Sequence, residues 1–413
     1  MNWKEQLEEI GNCQDSNKAI QDYNKILTIQ ESPDDIKEEA ILRLAKLFVK
    51  IGKGDQLPTL LRSVRPFFDK ISKPKTDKIV RNFIDIFSTV PDNLTTLIEF
   101  VKENIQWCKD TNRIYLRQRL ETKLFTLMFE AKDYANALSG LTTLLTEIKR
   151  LDDKPLLVEI QLVESRIQHA LKNIPKARAA LTSARTNANT IYCPPKLQAE
   201  IDMQSGILHS EEKDYKTAFS YFFESYETYD SLEDPFAMKA LKYMLLCKIM
   251  TNQTDDVHAL VNGKIGLKYH NNRSIEAITQ ISKSHAKRSL HMFQEVTKEF
   301  SDQLSDDPII HSHLTELYSN LLEQNLCRII EPFSRVEISH IAKLIDLPVD
   351  VVERKLSLMI LDKKYNGILD QGTGTLIVFE EQKEDKLFNC SLETIGALSR
   401  VVDLLYEKTN KLS

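Results

Sequence analysis

The sequence predicts an all-α protein in which an array of helix pairs precedes a winged helix and a C-terminal helix. Glycine is scarce, with 11 among 413 residues, well under half of the roughly 7 % of average usage. A pattern with a period of 39 to 41 residues runs through the first two thirds of the chain. After residue 330 the sequence changes to short apolar runs with clustered glycines. The prediction rests on these three observations.

The periodic segment indicates the helix pairs. Each copy has a polar turn, a bulky residue and, three places later, a small or apolar residue that opens a helix; the clearest copies are Lys132–Leu138 and Lys213–Phe219. The small or apolar positions are Ala19, Pro58, Leu97, Ala137, Ala177, Ala218 and Val257. A unit of this length holds two antiparallel helices, and stacking buries the faces that one pair leaves exposed. We expect a right-handed superhelical solenoid of the tetratricopeptide (TPR) or HEAT type.

The winged helix is predicted from the order of short elements after this array. Arg335–Ile338 alternates like a strand, and Ser339–Ile345 and Val351–Lys364 have helical apolar spacing. Gly367–Phe379 has two apolar runs around a Gln-Gly-Thr-Gly turn, which indicates a β-hairpin. Strand, helix, helix and hairpin is the order of a winged helix.

A final helix is predicted after the acidic, polar linker Glu380–Asp385, with Ser391 as its N-cap. Its apolar residues are spaced by three or four, close to the seam of a coiled coil, and are Leu392, Ile395, Leu398, Val402 and Leu405. We call these five residues the C-terminal seam. A stripe this apolar requires a covering surface, either the chain's own winged helix or helices of other chains.

A helical-repeat array that leads into a winged helix resembles the PCI-domain family, which occurs in the proteasome lid, the signalosome and a translation-initiation scaffold. Several segments are similar in detail to a lid member of that family: Tyr192–Ala199, Asp202–Ile207, Asn320–Leu326, Arg328–Val336, Val352–Ser357, Met359–Lys364 and Gly367–Gly372. The resemblance covers about residues 110 to 411 and is weaker before them.

The repeat period, the change of sequence after residue 330 and the resemblance together predict a division of the chain into four parts. Residues 1–270 would form the N-terminal α-solenoid of about seven helix-pair repeats, and 271–330 the helical part of the PCI module. Residues 331–380 would form the winged helix, and 381–413 the linker and C-terminal bundle helix.

The resemblance also implies a function. The chain would be a non-catalytic scaffold in the lid of the proteasome 19S regulatory particle, supporting ubiquitin-dependent degradation in cytoplasm and nucleus. Its partners would be other PCI subunits, the ATPase ring and the core-particle α-ring, in a hetero-oligomer without cofactor, nucleic acid or membrane.

Two surfaces are predicted to make the assembly contacts. One is the C-terminal seam. The other is the wing strand, expected to offer an exposed edge with unpaired backbone groups for strand addition. The residues of that strand are Thr375, Leu376, Ile377, Val378 and Phe379.

The densest basic stretch leaves two interpretations open, a solvated face between repeats or a docking patch for an acidic partner. Its residues are Lys70, Lys73, Lys75, Lys78 and Arg81, with Asp69 and Asp77 among them. If it docks a partner, glutamate at Lys73, Lys75 and Lys78 should weaken assembly in a salt-dependent way.

Two other function classes remain as alternatives: a signalosome scaffold and a nucleic-acid-binding winged helix. The second is weakened because Asp350 and Glu353 accompany Arg354 and Lys355 on the second helix, and the turn Asp370–Thr375 has no basic residue to neutralise phosphates. Nucleic-acid coating is also disfavoured by 55 Lys+Arg against 60 Asp+Glu and a net charge of −5.

Catalysis, membrane insertion and a disulfide framework are disfavoured. His311 and His313 are the one close histidine pair, and no carboxylate or cysteine stands at metal-ligand spacing around them. The six cysteines are at least 54 residues apart, which suits a reducing compartment. No signal-peptide core opens the sequence, and the strongest apolar runs are too short to span a membrane. We expect a soluble, intracellular protein.

Overall fold

The computed structural model describes residues 20, 23, 34–52, 56–68, 71–89, 94–263, 266, 268–269, 272–304, 307–379 and 386–411. These residues form nineteen helices and one three-stranded sheet, which confirms the prediction of a helical solenoid with a winged helix. The chain divides into two compact units after Cys247. The predicted boundaries at residues 270, 330 and 380 stay predictions.

The first unit is built from helices of 12 to 18 residues, which from residue 94 onward follow one another through short turns. They are α1 (Asp34–Ile51), α2 (Leu57–Phe68), α3 (Lys73–Ser88), α4 (Leu94–Asp110), α5 (Ile114–Glu130), α6 (Tyr134–Leu151), α7 (Lys154–Ala170), α8 (Ile174–Asn189), α9 (Pro195–Glu211), α10 (Tyr215–Ser231) and α11 (Phe236–Met250).

The predicted repeat positions lie at the starts of alternate helices. Ala137, Ala177 and Ala218 are completely buried, because each lies in the first turn of a helix that packs against the preceding helix. Leu97 is 3 % exposed. In the second copy the buried residue is Leu57 and not the predicted Pro58, which is half-buried. Ala19 lies outside the described residues.

Several turns of this unit take left-handed backbone conformations at residues other than glycine. Lys132, Lys172 and Lys213 have φ of 62°, 61° and 65°. The next backbone N–H reaches back five residues to a helix carbonyl, as from Asp133 to Met128 at 3.0 Å. This closure satisfies carbonyls at the helix end. Scarce glycine therefore did not prevent tight left-handed turns between helices.

The second unit begins with helices and ends in the winged helix and a long helix. Its helices are α12 (Thr254–Asn262), α13 (Arg273–Ala286), α14 (Leu290–Glu299), α15 (Ser301–Leu304), α16 (Pro308–Ile330), α17 (Ile338–Ile345), α18 (Val349–Leu361) and α19 (Lys386–Asn410). Its strands are β1 (Arg335–Glu337), β2 (Gly367–Asp370) and β3 (Thr375–Val378). The last repeat position, Val257, is completely buried at the start of α12.

The winged helix shares its core with the end of α16. Leu322, Leu326 and Ile330 of that helix pack with Val352, Leu356 and Met359 of α18 and with Leu376 of β3 in one buried cluster. The order of elements β1, α17, α18, β2, β3 confirms the predicted winged helix. Since α16 supplies part of the core, the winged helix does not form a separate hydrophobic unit.

The strand order is β1-β3-β2, with both pairs antiparallel. Thr375 lies opposite Glu337 on one side and Asp370 on the other. The expectation that the strand at 375–379 forms the exposed edge of the sheet is therefore wrong, because β3 is central and has a partner on each side. The outer strands are β1 and β2.

Candidate assembly surfaces

The C-terminal seam lies on α19 and is open to solvent. Its five residues are exposed by 53 to 62 %, so the alternative that the seam packs against the chain's own winged helix is not observed. The helix starts at Lys386, five residues before the predicted N-cap. Ser391 lies inside it and its hydroxyl donates to the Leu387 carbonyl at 2.7 Å, which corrects its assignment as N-cap.

The stripe on α19 is longer and wider than the seam alone. Leu387 is 78 % exposed and Phe388 62 %, which extends the stripe toward the start of the helix. Val401, Leu404 and Tyr406 are also more than half exposed. A helix with so much exposed apolar surface is typical of one that packs into a bundle of several helices.

The wing offers a different surface from the predicted one. Thr375 and Leu376 of the predicted strand are buried, and Phe379 is 50 % exposed. Ile368 on the outer strand β2 is 55 % exposed and lies opposite Ile377. The free backbone edge for strand addition is therefore that of β2 or β1, while Ile368 and Phe379 provide apolar contact area beside it.

The winged helix exposes further apolar residues that the sequence patterns did not identify. Leu344 at the end of α17 is 56 % exposed, and Leu358 and Leu361 of α18 are 53 % and 77 % exposed. Both leucines of α18 lie outside the buried stripe Val352, Leu356 and Met359. Their positions, which do not follow the spacing of the buried stripe, are the sequence feature that could have identified them as exposed.

One lysine of α18 and one that follows it are paired with a carboxylate of α16. The Lys355 ammonium contacts Glu323 of α16 at 2.6 Å, and Lys364 contacts the other oxygen of the same carboxylate. Burial would raise the pKa of Glu323, but the two lysines outweigh it and hold the pKa below its ordinary value. Since Lys355 is engaged, Arg354 is the exposed cation that α18 offers to phosphates.

The basic stretch is partly neutralised. Lys73, Lys75 and Lys78 of α3 are exposed and Arg81 is half-buried, whereas Lys70 lies outside the described residues. The Lys75 ammonium lies 4.0 Å from Glu38 of α1. Asp77, among the lysines, pairs with Arg113 at 3.2 Å. Both interpretations of this stretch stay open.

The part of the chain that the structure describes holds no cluster of metal ligands, and two of its cysteines are unreactive. No three histidine, cysteine or acidic side chains there converge as metal ligands. Burial raises the pKa of the Cys108 and Cys247 thiols to about 12, so both are protonated at neutral pH and poor nucleophiles. No described helix combines the length and the apolar character that crossing a membrane requires.

Repeated helices, a winged helix and a bundle-type terminal helix define a PCI-domain scaffold. The PCI domain model matches residues 277–380. Models described as the 26S proteasome regulatory subunit RPN6 N-terminal domain and C-terminal helix domain match residues 4–131 and 384–410. The third match coincides with α19.

Curated relatives agree with these matches. The chain is 52 % identical over 377 residues to "26S proteasome non-ATPase regulatory subunit 11 homolog" of Arabidopsis thaliana, covering 91 % of this chain and 90 % of the relative. It is 47 % identical to "Probable 26S proteasome regulatory subunit rpn6" of Schizosaccharomyces pombe, and this match covers 100 % of this chain and 99 % of the relative. It is 44 % identical to "26S proteasome regulatory subunit RPN6" of Saccharomyces cerevisiae, and this match covers 91 % of this chain and 88 % of the relative.

The chain belongs to the family of 26S proteasome regulatory subunit RPN6, also named non-ATPase regulatory subunit 11. The match to the fission yeast relative spans the whole chain. The family resemblance therefore extends through the first 110 residues, where the local sequence patterns are weak.

Proposed function

We propose that the chain is a non-catalytic scaffold subunit in the lid of the proteasome 19S regulatory particle and supports ubiquitin-dependent protein degradation. Its partners are the other PCI subunits of the lid, in a hetero-oligomeric complex. The names of the relatives support this proposal, because they place those proteins in the 26S proteasome.

The observation that carries the proposal is the open apolar stripe on α19. Burying one large aliphatic side chain contributes about 1.5–3 kcal/mol, and the seam has five such residues more than half exposed. A partner that covers the stripe therefore gains considerable binding free energy. Helices of neighbouring lid subunits are suitable partners, because they can present matching stripes in a bundle.

Deleting residues 386–413 tests the proposal. We expect the tagged truncated chain to fold, because the solenoid and the winged-helix core do not depend on α19. We expect lid subunits no longer to co-purify with it, because the apolar stripe is gone. The full-length chain is the control, and a peptidase assay on the native-gel band reports proteasome incorporation. A truncated chain that incorporates normally would contradict the proposal.

The same purification separates the alternatives. Peptidase activity with the full-length chain supports the proteasome, deneddylase activity would indicate a signalosome scaffold, and bound nucleic acid would indicate a nucleic-acid-binding winged helix. The paired charges of Glu323, Lys355 and Lys364 argue against the last of these.

We further propose that the N-terminal solenoid braces the lid against the ATPase ring and the core-particle α-ring. The exposed lysines 73, 75 and 78 are candidates for this contact. Glutamate at the three positions should weaken co-purification more at low than at high salt, because exposed charge pairs are screened. Co-purification that is unchanged at every salt concentration would remove the patch from the proposal.

We also propose that the chain resides in the cytoplasm and the nucleus. Support comes from the described cysteines, which are all free thiols, as is usual in a reducing compartment. Fluorescent tagging at the chromosomal locus checks this; a signal confined to an organelle would contradict it.

A further inference from the structure

A polar cleft of about 550 Å³ lies within the second unit, where the helical part meets the winged helix. It is separate from the seam on α19 and from the exposed edge of the sheet. Asn320, Glu323, Gln324 and Arg328 of α16 form one wall. The others include His285 of α13, Arg288 just after it, and Lys364 after α18.

The charges of the cleft favour an anionic ligand. Glu323 is shared by Lys355 and Lys364, so this carboxylate is already compensated twice. Arg288 and Arg328 are exposed in the wall, and among the described residues no ion pair or side-chain hydrogen bond holds either guanidinium. With Glu331 as the second carboxylate of the lining, positive charge remains in excess.

The histidine in the wall adds no positive charge. His285 is 6 % exposed, and burial, together with the adjacent Arg288, lowers its pKa. It is therefore neutral at pH 7. Arg288 and Arg328 are cations of the lining that no described carboxylate holds, and each guanidinium presents a planar set of donors that matches a carboxylate.

The uncharged groups of the cleft suit a peptide. Asn252, Asn320 and Gln324 line the cleft with side-chain amides, and an amide can both donate to and accept from a peptide backbone. The volume exceeds what a single small anion would fill, and it lies in the usual range for ligand sites.

We propose that this cleft binds an acidic peptide segment of a partner protein, with Arg288 and Arg328 pairing with its carboxylates and the amides contacting its backbone. The site is independent of the lid contacts proposed above, and it recognises a chain by charge and not by an apolar stripe. It adds a second mode of recognition to the same module.

Fluorescence anisotropy with fluorescein-labelled hexaglutamate and the full-length chain tests the proposal. We expect saturable binding that R288Q/R328Q weakens by about tenfold or more, because both charge-assisted contacts are lost. R354Q is the matched control: Arg354 is also exposed and lies on α18 outside the cleft lining. R354Q removes one positive charge, and the affinity of this variant for hexaglutamate should stay within about twofold of that of the unchanged protein.

Any one of the following results would overturn the proposal. The first two are the absence of saturable hexaglutamate binding and equal binding of labelled hexaglutamine. The third is a loss of hexaglutamate affinity in R354Q as large as that in R288Q/R328Q. The fourth is displacement of hexaglutamate by inorganic phosphate at the same molar concentration. The last would identify a general anion site. Single-stranded RNA that competes at lower concentration than free hexaglutamate would likewise favour a nucleic-acid ligand over an acidic peptide. Circular dichroism of each variant checks that it is folded.

Discussion

Helices α9 and α19 both contain many apolar residues, and they differ in where those residues are covered. In α9, which lies inside the solenoid, ten of the seventeen residues are buried, including Ile201, Gly206 and Leu208. In α19 the seam residues are more than half exposed. A repeat array covers its own apolar faces by stacking, so its stability is internal. Among the described residues no such neighbour covers the seam of the terminal helix, and we expect other chains to cover it.

This difference in burial predicts that the same substitution changes the free energy of unfolding by different amounts in the solenoid and in α19. Phe222 of the solenoid is 1 % exposed, whereas Phe388 of α19 is 62 % exposed. F222A should lower the free energy of unfolding by about 3–5 kcal/mol through loss of burial and a residual cavity. F388A should change it by less than about 0.5 kcal/mol. Urea unfolding followed by circular dichroism measures both, and equal losses would show that the comparison is mistaken.

Two helical glycines extend the comparison, because alanine should destabilise the solenoid at one position and stabilise α19 at the other. A Cβ at Gly206 would lie 2.6 Å from the Phe222 ring, whereas one at Gly396 of α19 would meet nothing within 4 Å. G206A should destabilise the solenoid by about 1–3 kcal/mol through overpacking. G396A should stabilise α19 by about 0.5–1 kcal/mol, since alanine is the better helix former. Hydrogen exchange of the amides in each helix reports the two changes; slower exchange around residue 206 in G206A would contradict this prediction.

Within the second unit, the half-buried charge cluster should contribute more than an exposed pair in the first. E323Q removes the carboxylate that Lys355 and Lys364 share. We expect a loss of about 1–2 kcal/mol in the opening free energy of α18 at pH 7. E212Q is the control, because Arg178 in that pair is 57 % exposed, and a change of less than about 0.5 kcal/mol is expected there.

The stabilisation by Glu323 should depend on pH in a defined direction. The pKa of Glu323 is lower in the folded protein than its ordinary value, so the unfolded chain binds the proton more readily. The contribution is complete above the unfolded pKa of about 4.3 and is lost as the pH falls through the folded value. The difference between the unchanged protein and E323Q in hydrogen exchange should shrink below pH 4; a difference that grows there would refute the assignment.

Much of the fold was predictable because it is local. The period, the buried Ala137, Ala177 and Ala218, and the hairpin at residues 367–379 all follow from spacing within a short stretch. The seam residues were identified correctly as one helical stripe, and their role in assembly remains a prediction.

The errors concern features that local patterns do not determine. β3 was expected at the edge, yet it pairs with β1 about forty residues earlier in the chain, and no property of 375–379 alone reveals that partner. Ser391 is a good N-cap by residue type, but Leu387 and Phe388 continue the apolar stripe and the helix begins before them. Glu323 was not identified because the lysines that it contacts come from a distant helix and turn.

The measurement that tests the central claim most directly compares two faces of α19 in the same assay. I395D/L398D/V402D places charges in the seam, and E393A/R400A/E407A changes exposed polar residues on the opposite face. Each tagged variant is purified from cells, its incorporation into the 26S complex is measured by native gel and peptidase activity, and its unfolding temperature is recorded. We predict that the seam variant loses incorporation by more than about tenfold, since burial of three large apolar side chains is worth several kcal/mol. The polar-face variant should incorporate normally, and both should unfold at the temperature of the unchanged chain. Normal incorporation of the seam variant would contradict the account.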